Sequence, residues 1–132
     1  MIARHKVVCD RYRELLKDIR GLRMPGESEL VNYNYSFFPV IINSEEFGAT
    51  RDELSGYLEN RNIVTRKYFY PLVIDYPGFE MYKTVDVTIA QKISRNILCI
   101  PLFYDITDEQ ISSVVHAICE VSGALSVSKC SK

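Results

Sequence analysis

The feature that most limits how this chain can fold is an alternation. Short apolar runs are separated by segments that carry a helical face. Val40-Ile41-Ile42 has no polar alternate, Ile63-Val64 opens a further run, and Ile97 to Leu102 reads Ile-Leu-Cys-Ile-Pro-Leu. Runs of this kind are strands, buried on one or both faces. Between them Leu54, Tyr57 and Leu58 fall at helical spacing, as do Ile111, Val114, Val115 and Ile118. Thr50 with Glu53, and Thr107 with Gln110, are capping boxes that open these two helices. Thr88 with Gln91 opens a short helix through Ile93. The order helix, strand, helix, strand, helix, strand, helix predicts a small α+β domain. Its mixed or antiparallel sheet should carry helices mainly on one face.

The first helix begins almost at once. Val8, Tyr12, Leu15 and Ile19 share one face, Glu14 and Lys17 form an i,i+3 pair, and Gly21 ends the pattern. No capping side chain precedes it, so it has the look of a helix continued from elsewhere. A strand is expected over residues 31–42, with Tyr33, Tyr35 and Phe37 on one side and Asn34 and Ser36 on the other. That aromatic stripe is either core or a platform for stacking a sugar. Pro39 implies a sheet edge or a bulge. Asn43 to Gly48 reads as a loop in which Glu45 and Glu46 face water. Residues 73–85 are irregular, and their Tyr76, Phe79, Met81 and Tyr82 are packed down or used in binding. Domain limits of 1–122 follow, with a helix over 1–22 and a loose tail over 123–132.

Composition removes several classes of function. A net charge of −1 with no basic block excludes nucleic acid as the main partner. No apolar run reaches membrane length, and the N-terminus lacks an apolar signal core. Cys9, Cys99, Cys119 and Cys130 are scattered, without a His at ligand spacing. They read as reduced thiols in a cytoplasmic protein, not as a metal site or a disulfide framework. His5 and His116 lie off the apolar helix faces. No serine elbow, P-loop or dinucleotide glycine pattern is present. No catalytic residue is assigned.

Binding character is concentrated in Ile63 to Leu72. Two cations and three aromatics occupy five positions, and Pro71 stops the run. Arg66, Lys67, Tyr68 and Tyr70 are the candidate substrate-binding residues. Arg pairs phosphate bidentately, and Tyr offers a ring face with a polar tip. The same pattern suits a half-buried edge strand with snorkelling cations. Lys67 beside Arg66 is the lysine whose proton affinity a neighbouring cation would lower.

Five blocks in series carry a resemblance. They are residues 35–42 (Tyr-Ser-Phe-Phe-Pro-Val-Ile-Ile), 50–54 (Thr-Arg-Asp-Glu-Leu), 65–72 (Thr-Arg-Lys-Tyr-Phe-Tyr-Pro-Leu), 92–94 with 97–102, and 107–111 (Thr-Asp-Glu-Gln-Ile). In this order the chain resembles the C-terminal part of the DegT/DnrJ/EryC1/StrS sugar aminotransferases. The first helix resembles the one joining that family's two domains. The resemblance implies a fold like the small domain of aspartate-aminotransferase-type enzymes. It implies a parent enzyme that uses pyridoxal phosphate to move an amino group, with glutamate as donor, onto a nucleotide-linked keto-sugar. In that family the cofactor lysine lies in a large domain, so this chain alone is expected to be inactive and to hold no cofactor. The missing large domain or a partner subunit, and a homodimer in the full-length form, are the implied partners. The family's His-Tyr-x-Pro-Leu-His block is here Tyr68 to Val73, and both histidines are absent. A non-catalytic module that binds nucleotide-sugars or assembles subunits is the alternative.

Overall fold

A computed structural model describes residues 1–83 and 86–123. Five helices and three strands follow one another as α1 (Ile2–Leu16), β1 (Leu22–Arg23), β2 (Phe38–Ile42), α2 (Ser44–Phe47), α3 (Arg51–Glu59), α4 (Thr88–Asn96), β3 (Ile97–Ile100) and α5 (Asp108–Val121). The sheet is antiparallel with order β1-β2-β3, and Val40 lies opposite Leu98. This is the small α+β architecture that the alternation of runs implies. Phe38, Val40 and Ile42 bury one face of the central strand against Tyr12 and Leu16 of α1, Leu54 and Leu58 of α3, and Ile111 and Ile118 of α5. Each such aliphatic side chain contributes about 2 kcal/mol by leaving water.

Both capping boxes form. Thr50 Oγ1 accepts from the Glu53 amide at 3.2 Å, and the Glu53 carboxylate accepts the Thr50 amide at 2.7 Å. The Gln110 amide donates to Thr107 Oγ1 at 3.2 Å, and Gln110 Oε1 accepts the Thr107 amide at 2.9 Å. Gly123, at φ +68°, follows the end of α5. The Glu14–Lys17 pair is present at 2.7 Å.

Several expectations are corrected. Helix α1 stops at Leu16 rather than continuing over 1–22, and its buried face also takes Cys9 and Leu16. Gly21 then turns at φ +75°, so close to the Phe47 backbone that a side chain has no room there. Its carbonyl accepts the Asn43 amide at 2.8 Å, and Leu22 leaves as β1. The strand expected over 31–42 is confined to Phe38–Ile42. Tyr35, at φ +52°, breaks the extended run. The Tyr35 hydroxyl bonds Glu27 at 3.0 Å and the Tyr33 hydroxyl accepts the Ser28 amide at 3.0 Å, which draws that aromatic stripe away from the sheet. Residues 43–48 are not a plain loop, because Asn43 caps the short helix α2 by accepting the Glu45 amide. Helix α4 runs on to Asn96, and Thr88 does not cap it. Thr88 instead donates its amide and hydroxyl to Asp86 Oδ1.

Pro39 lies in the central strand, not at an edge. The Cys99 amide and carbonyl both bond Arg66, at 2.8 and 3.0 Å. Cys99 therefore has no backbone group left for Pro39, its opposite residue. The proline nitrogen points to the other side, where β1 has already ended after Arg23, so no ladder bond is lost. The tail expected over 123–132 lies, apart from Gly123, outside the described residues, and so does Cys130. Cys9, Cys99 and Cys119 are buried. Burial pushes the Cys9 thiol up to about 11.

Candidate functional site

The segment from Ile63 to Tyr70 is not a full strand. It leaves α3 through Asn62 (φ +60°) and touches the sheet at one bridge, Arg66 opposite Cys99. That bridge adds Arg66 to the free edge of β3. Ser55 of α3 also meets Thr65, hydroxyl to hydroxyl, at 3.0 Å. The segment is thus held from both sides.

Arg66 and Tyr68 share a wall between two clefts. The larger, about 470 Å³, has an apolar floor of Ile63, Ile100, Leu102 and Val114, with Phe37, Arg66, Tyr68 and Gln110 also lining it. The other, about 460 Å³, is lined by Ser55, Glu59, Thr65, Lys67 and Tyr70 as well as Arg66 and Tyr68. Both volumes lie in the range of small-molecule sites. Phe37 stands edge-on to Tyr68 at 4.8 Å, and the Arg66 guanidinium lies 6.0 Å from the Tyr68 ring. Arg66 is exposed and Tyr68 half-buried. A cation beside a ring can receive an anionic group and a flat or hydroxylated one together.

Lys67 and Tyr70 turn toward α3. Lys67 Nζ meets Asp52 Oδ1 at 2.5 Å, and that oxygen also accepts from Arg51 Nε at 2.9 Å. The bond from Lys67 and the charge of Arg51 hold the Asp52 carboxyl below its usual range. The Tyr70 ring lies 4.7 Å from the Arg51 guanidinium carbon. All four sequence-derived residues therefore fall on one surface, in two pairs with different supports. Phe37, from the stripe read as either core or a sugar-stacking platform, lies on this surface beside Tyr68. Arg51 is the residue of this surface that the sequence does not single out. It is 2% exposed. Its carbonyl partners, Ser94 and Ile97, lie more than forty positions away in sequence, so no local signal marks it.

Other candidates stay apart. Glu45 and Glu46 are exposed on α2, and His116 is exposed with its Nδ1 3.7 Å from Glu120. His5 Nδ1 meets the Tyr35 carbonyl at 3.1 Å. Among the described residues no cluster of His, Cys, Asp or Glu could hold a metal ion. No described helix is long and apolar enough to cross a membrane.

Comparison with known proteins decides the relationship. The model of the DegT/DnrJ/EryC1/StrS aminotransferase family matches residues 1–119. The chain belongs to this family. It is 35% identical over 111 residues to the dTDP-4-amino-4,6-dideoxy-D-glucose transaminase of Shigella dysenteriae, a match covering 83% of this chain and 30% of that protein. The Escherichia coli transaminase of the same name is 34% identical over 121 residues, covering 89% of this chain and 32% of that protein. Among solved structures, DesI in the presence of its TDP-sugar product superposes with a TM-score of 0.83 at 22% identity, covering 96% of this chain and 33% of the other. That likeness establishes a shared fold. The chain spans about a third of the length of these curated relatives, 30% and 32%.

As a member of an aminotransferase family, the chain can be tested for the chemistry that pyridoxal phosphate requires. The cofactor serves as an electron sink once joined to a lysine. Among the described residues every lysine is exposed, and Lys67 is committed to Asp52. None is an amine desolvated in an apolar pocket, the environment that keeps such a group neutral and nucleophilic. The described residues do not fit the cofactor's covalent site.

Proposed function

We propose that this chain is the substrate-side portion of a nucleotide-sugar aminotransferase. In this reading a large lysine-bearing domain, or a partner subunit, holds the cofactor, and full-length assemblies pair as homodimers. Glutamate is the amino donor and a nucleotide-linked keto-sugar the acceptor. The observation that carries the reading is the coincidence of a family match over 1–119 with a surface that gathers Arg66, Tyr68 and Phe37 between two clefts. The dTDP-sugar names of the Shigella and Escherichia relatives suggest the ligand class.

The residue roles follow from their chemistry. The exposed Arg66 guanidinium receives the negative diphosphate. Tyr68 and Phe37 offer ring faces and edges to a sugar or base. Lys67 and Tyr70 border the second cleft and offer hydrogen bonds to hydroxyl groups. No step of the amino transfer is assigned to this chain. Domains of 1–122 are consistent with the last described core residue of α5.

Calorimetric titration with dTDP-glucose tests the reading. Wild-type chain should bind, and Arg66→Ala or Tyr68→Ala should weaken binding by roughly tenfold or more. Affinity that both substitutions leave untouched would remove this surface from the account. Binding by a chain that gains no activity when supplied with a lysine-bearing partner would favour the alternative, a non-catalytic binding or assembly module.

A further inference from the structure

We propose that Arg51 is the positioning residue of this surface, fixing Tyr70 by stacking and Lys67 through Asp52. The inference rests on the sugar-nucleotide reading above and extends it to a residue that the ligand does not touch. Arg51 is the one charged residue buried among the described residues, at 2% exposure. A buried charge is costly unless it is paired and hydrogen-bonded. Here Nη1 donates to the Ser94 carbonyl at 3.1 Å and the Ile97 carbonyl at 3.2 Å. Ser94 lies in the last turn of α4, where carbonyls lack helical partners and carry partial negative charge. Ile97 opens β3. The guanidinium therefore locks the N-terminus of α3 to the junction of α4 and β3.

Its remaining contacts point to the site. Nε bonds Asp52 Oδ1 at 2.9 Å, the oxygen that takes Lys67 Nζ at 2.5 Å. The open face carries Tyr70, 4.7 Å away. Tyr70 is 49% exposed and lies three residues beyond Lys67, with its amide bonded to the Lys67 carbonyl at 3.0 Å. It is thus a half-exposed ring on an irregular segment, and its contact with Arg51 fixes its plane. Arg66 and Tyr68, by contrast, are registered by the backbone bridge to Cys99. Arg66 and Tyr68 are thus supported separately from Lys67 and Tyr70, whose side chains meet Arg51 directly or through Asp52. Lysine cannot replace Arg51: an ammonium lacks the planar fork that spans two carbonyls, a carboxylate and a ring at once.

The test is fluorine NMR on the full 132-residue chain labelled with 3-fluorotyrosine. In Arg51→Lys the Tyr70 resonance, assigned by its loss in Tyr70→Phe, should move, while that of the core residue Tyr12 stays. A folded Arg51→Lys protein whose Tyr70 resonance does not move overturns the proposal. So does one in which Tyr12 moves equally, because the role is then only structural. Should Arg51→Lys not fold, Tyr70→Leu decides. Its substitution at a half-exposed ring should shift the Arg51 Nε–H proton downfield as the ring current is lost, and an unmoved proton overturns the idea. For function, dTDP-glucose affinity should fall roughly tenfold in Arg51→Lys and fall no further when Tyr70→Leu is added. Additive losses contradict the coupling. Failure of the wild-type chain to bind dTDP-glucose would count against the sugar-nucleotide reading alone, since the two NMR readouts need no ligand.

Discussion

Replacing Gly21 by alanine should be among the most damaging single-methyl additions to this fold. Two effects act together. Gly21 has φ +75°, where an L side chain costs about 1 kcal/mol. A Cβ there would also stand 2.8 Å from both the Glu46 carbonyl carbon and Phe47 Cα, and closer still to the Phe47 nitrogen. These are backbone atoms of α2, so no rotamer change relieves the clash. The turn must move, which puts at risk the bond from the Asn43 amide to the Gly21 carbonyl and the packing of the buried Phe47. Overpacking and one lost hydrogen bond bring the expected loss to about 4 kcal/mol. Gly48 is the internal control. It has φ +88°, but nothing lies within 4 Å of the position its Cβ would take. Gly48→Ala should therefore cost about 1 kcal/mol or less. Urea unfolding followed by far-ultraviolet circular dichroism, at a common m-value, gives both numbers. In thermal melts the two variants should separate by roughly 10 °C. Equal midpoints for Gly21→Ala and Gly48→Ala would mean that the close approach of residue 21 to α2 does not exist.

Two further substitutions probe the supports of the site and the core. Asp52→Asn should cost under about 1 kcal/mol at pH 7, because the carboxylate is largely exposed. Its folded-state pKa is depressed by Lys67 and Arg51, so its contribution is complete above about pH 5 and fades as the pH falls through the unfolded value and then the lowered one. Urea midpoints of wild type and Asp52→Asn should therefore converge in acid, and a gap that widens there would reverse the assigned sign. Thr107→Ala removes the acceptor for the Gln110 amide at the start of α5 and should cost about 1 kcal/mol. A melting temperature unchanged by that substitution would show that the box contributes nothing to the helix.

What could be read from the sequence was local chemistry. Thr50 with Glu53 and Thr107 with Gln110 specify helix starts within four residues, and both helices begin there. The face of Ile111, Val114, Val115 and Ile118 needs only helical spacing. The surface carrying Arg66, Lys67, Tyr68 and Tyr70 follows from one run of ten residues. The misses arise from distant partners. The stripe of Tyr33, Tyr35 and Phe37 alternates like a strand, but Glu27 and Ser28 capture the two tyrosine hydroxyls. Pro39 looks like an edge residue until Cys99 is seen to spend its backbone groups on Arg66. Strand β1 has two residues, too few for any period. Nothing local singles out Arg51 in the first turn of α3, and only the arrival of Ser94, Ile97 and Tyr70 buries it.

The central proposal is that this chain supplies a surface for substrate and that none of the lysines among the described residues is an amine able to take up the cofactor. Incubation of the purified chain with pyridoxal phosphate, borohydride reduction and peptide mass spectrometry tests it directly. The account predicts no lysine labelled at stoichiometric yield, with only scattered, substoichiometric adducts on exposed side chains. A single lysine, Lys67 above all, trapped in full yield with the absorbance of an internal aldimine before reduction would contradict it.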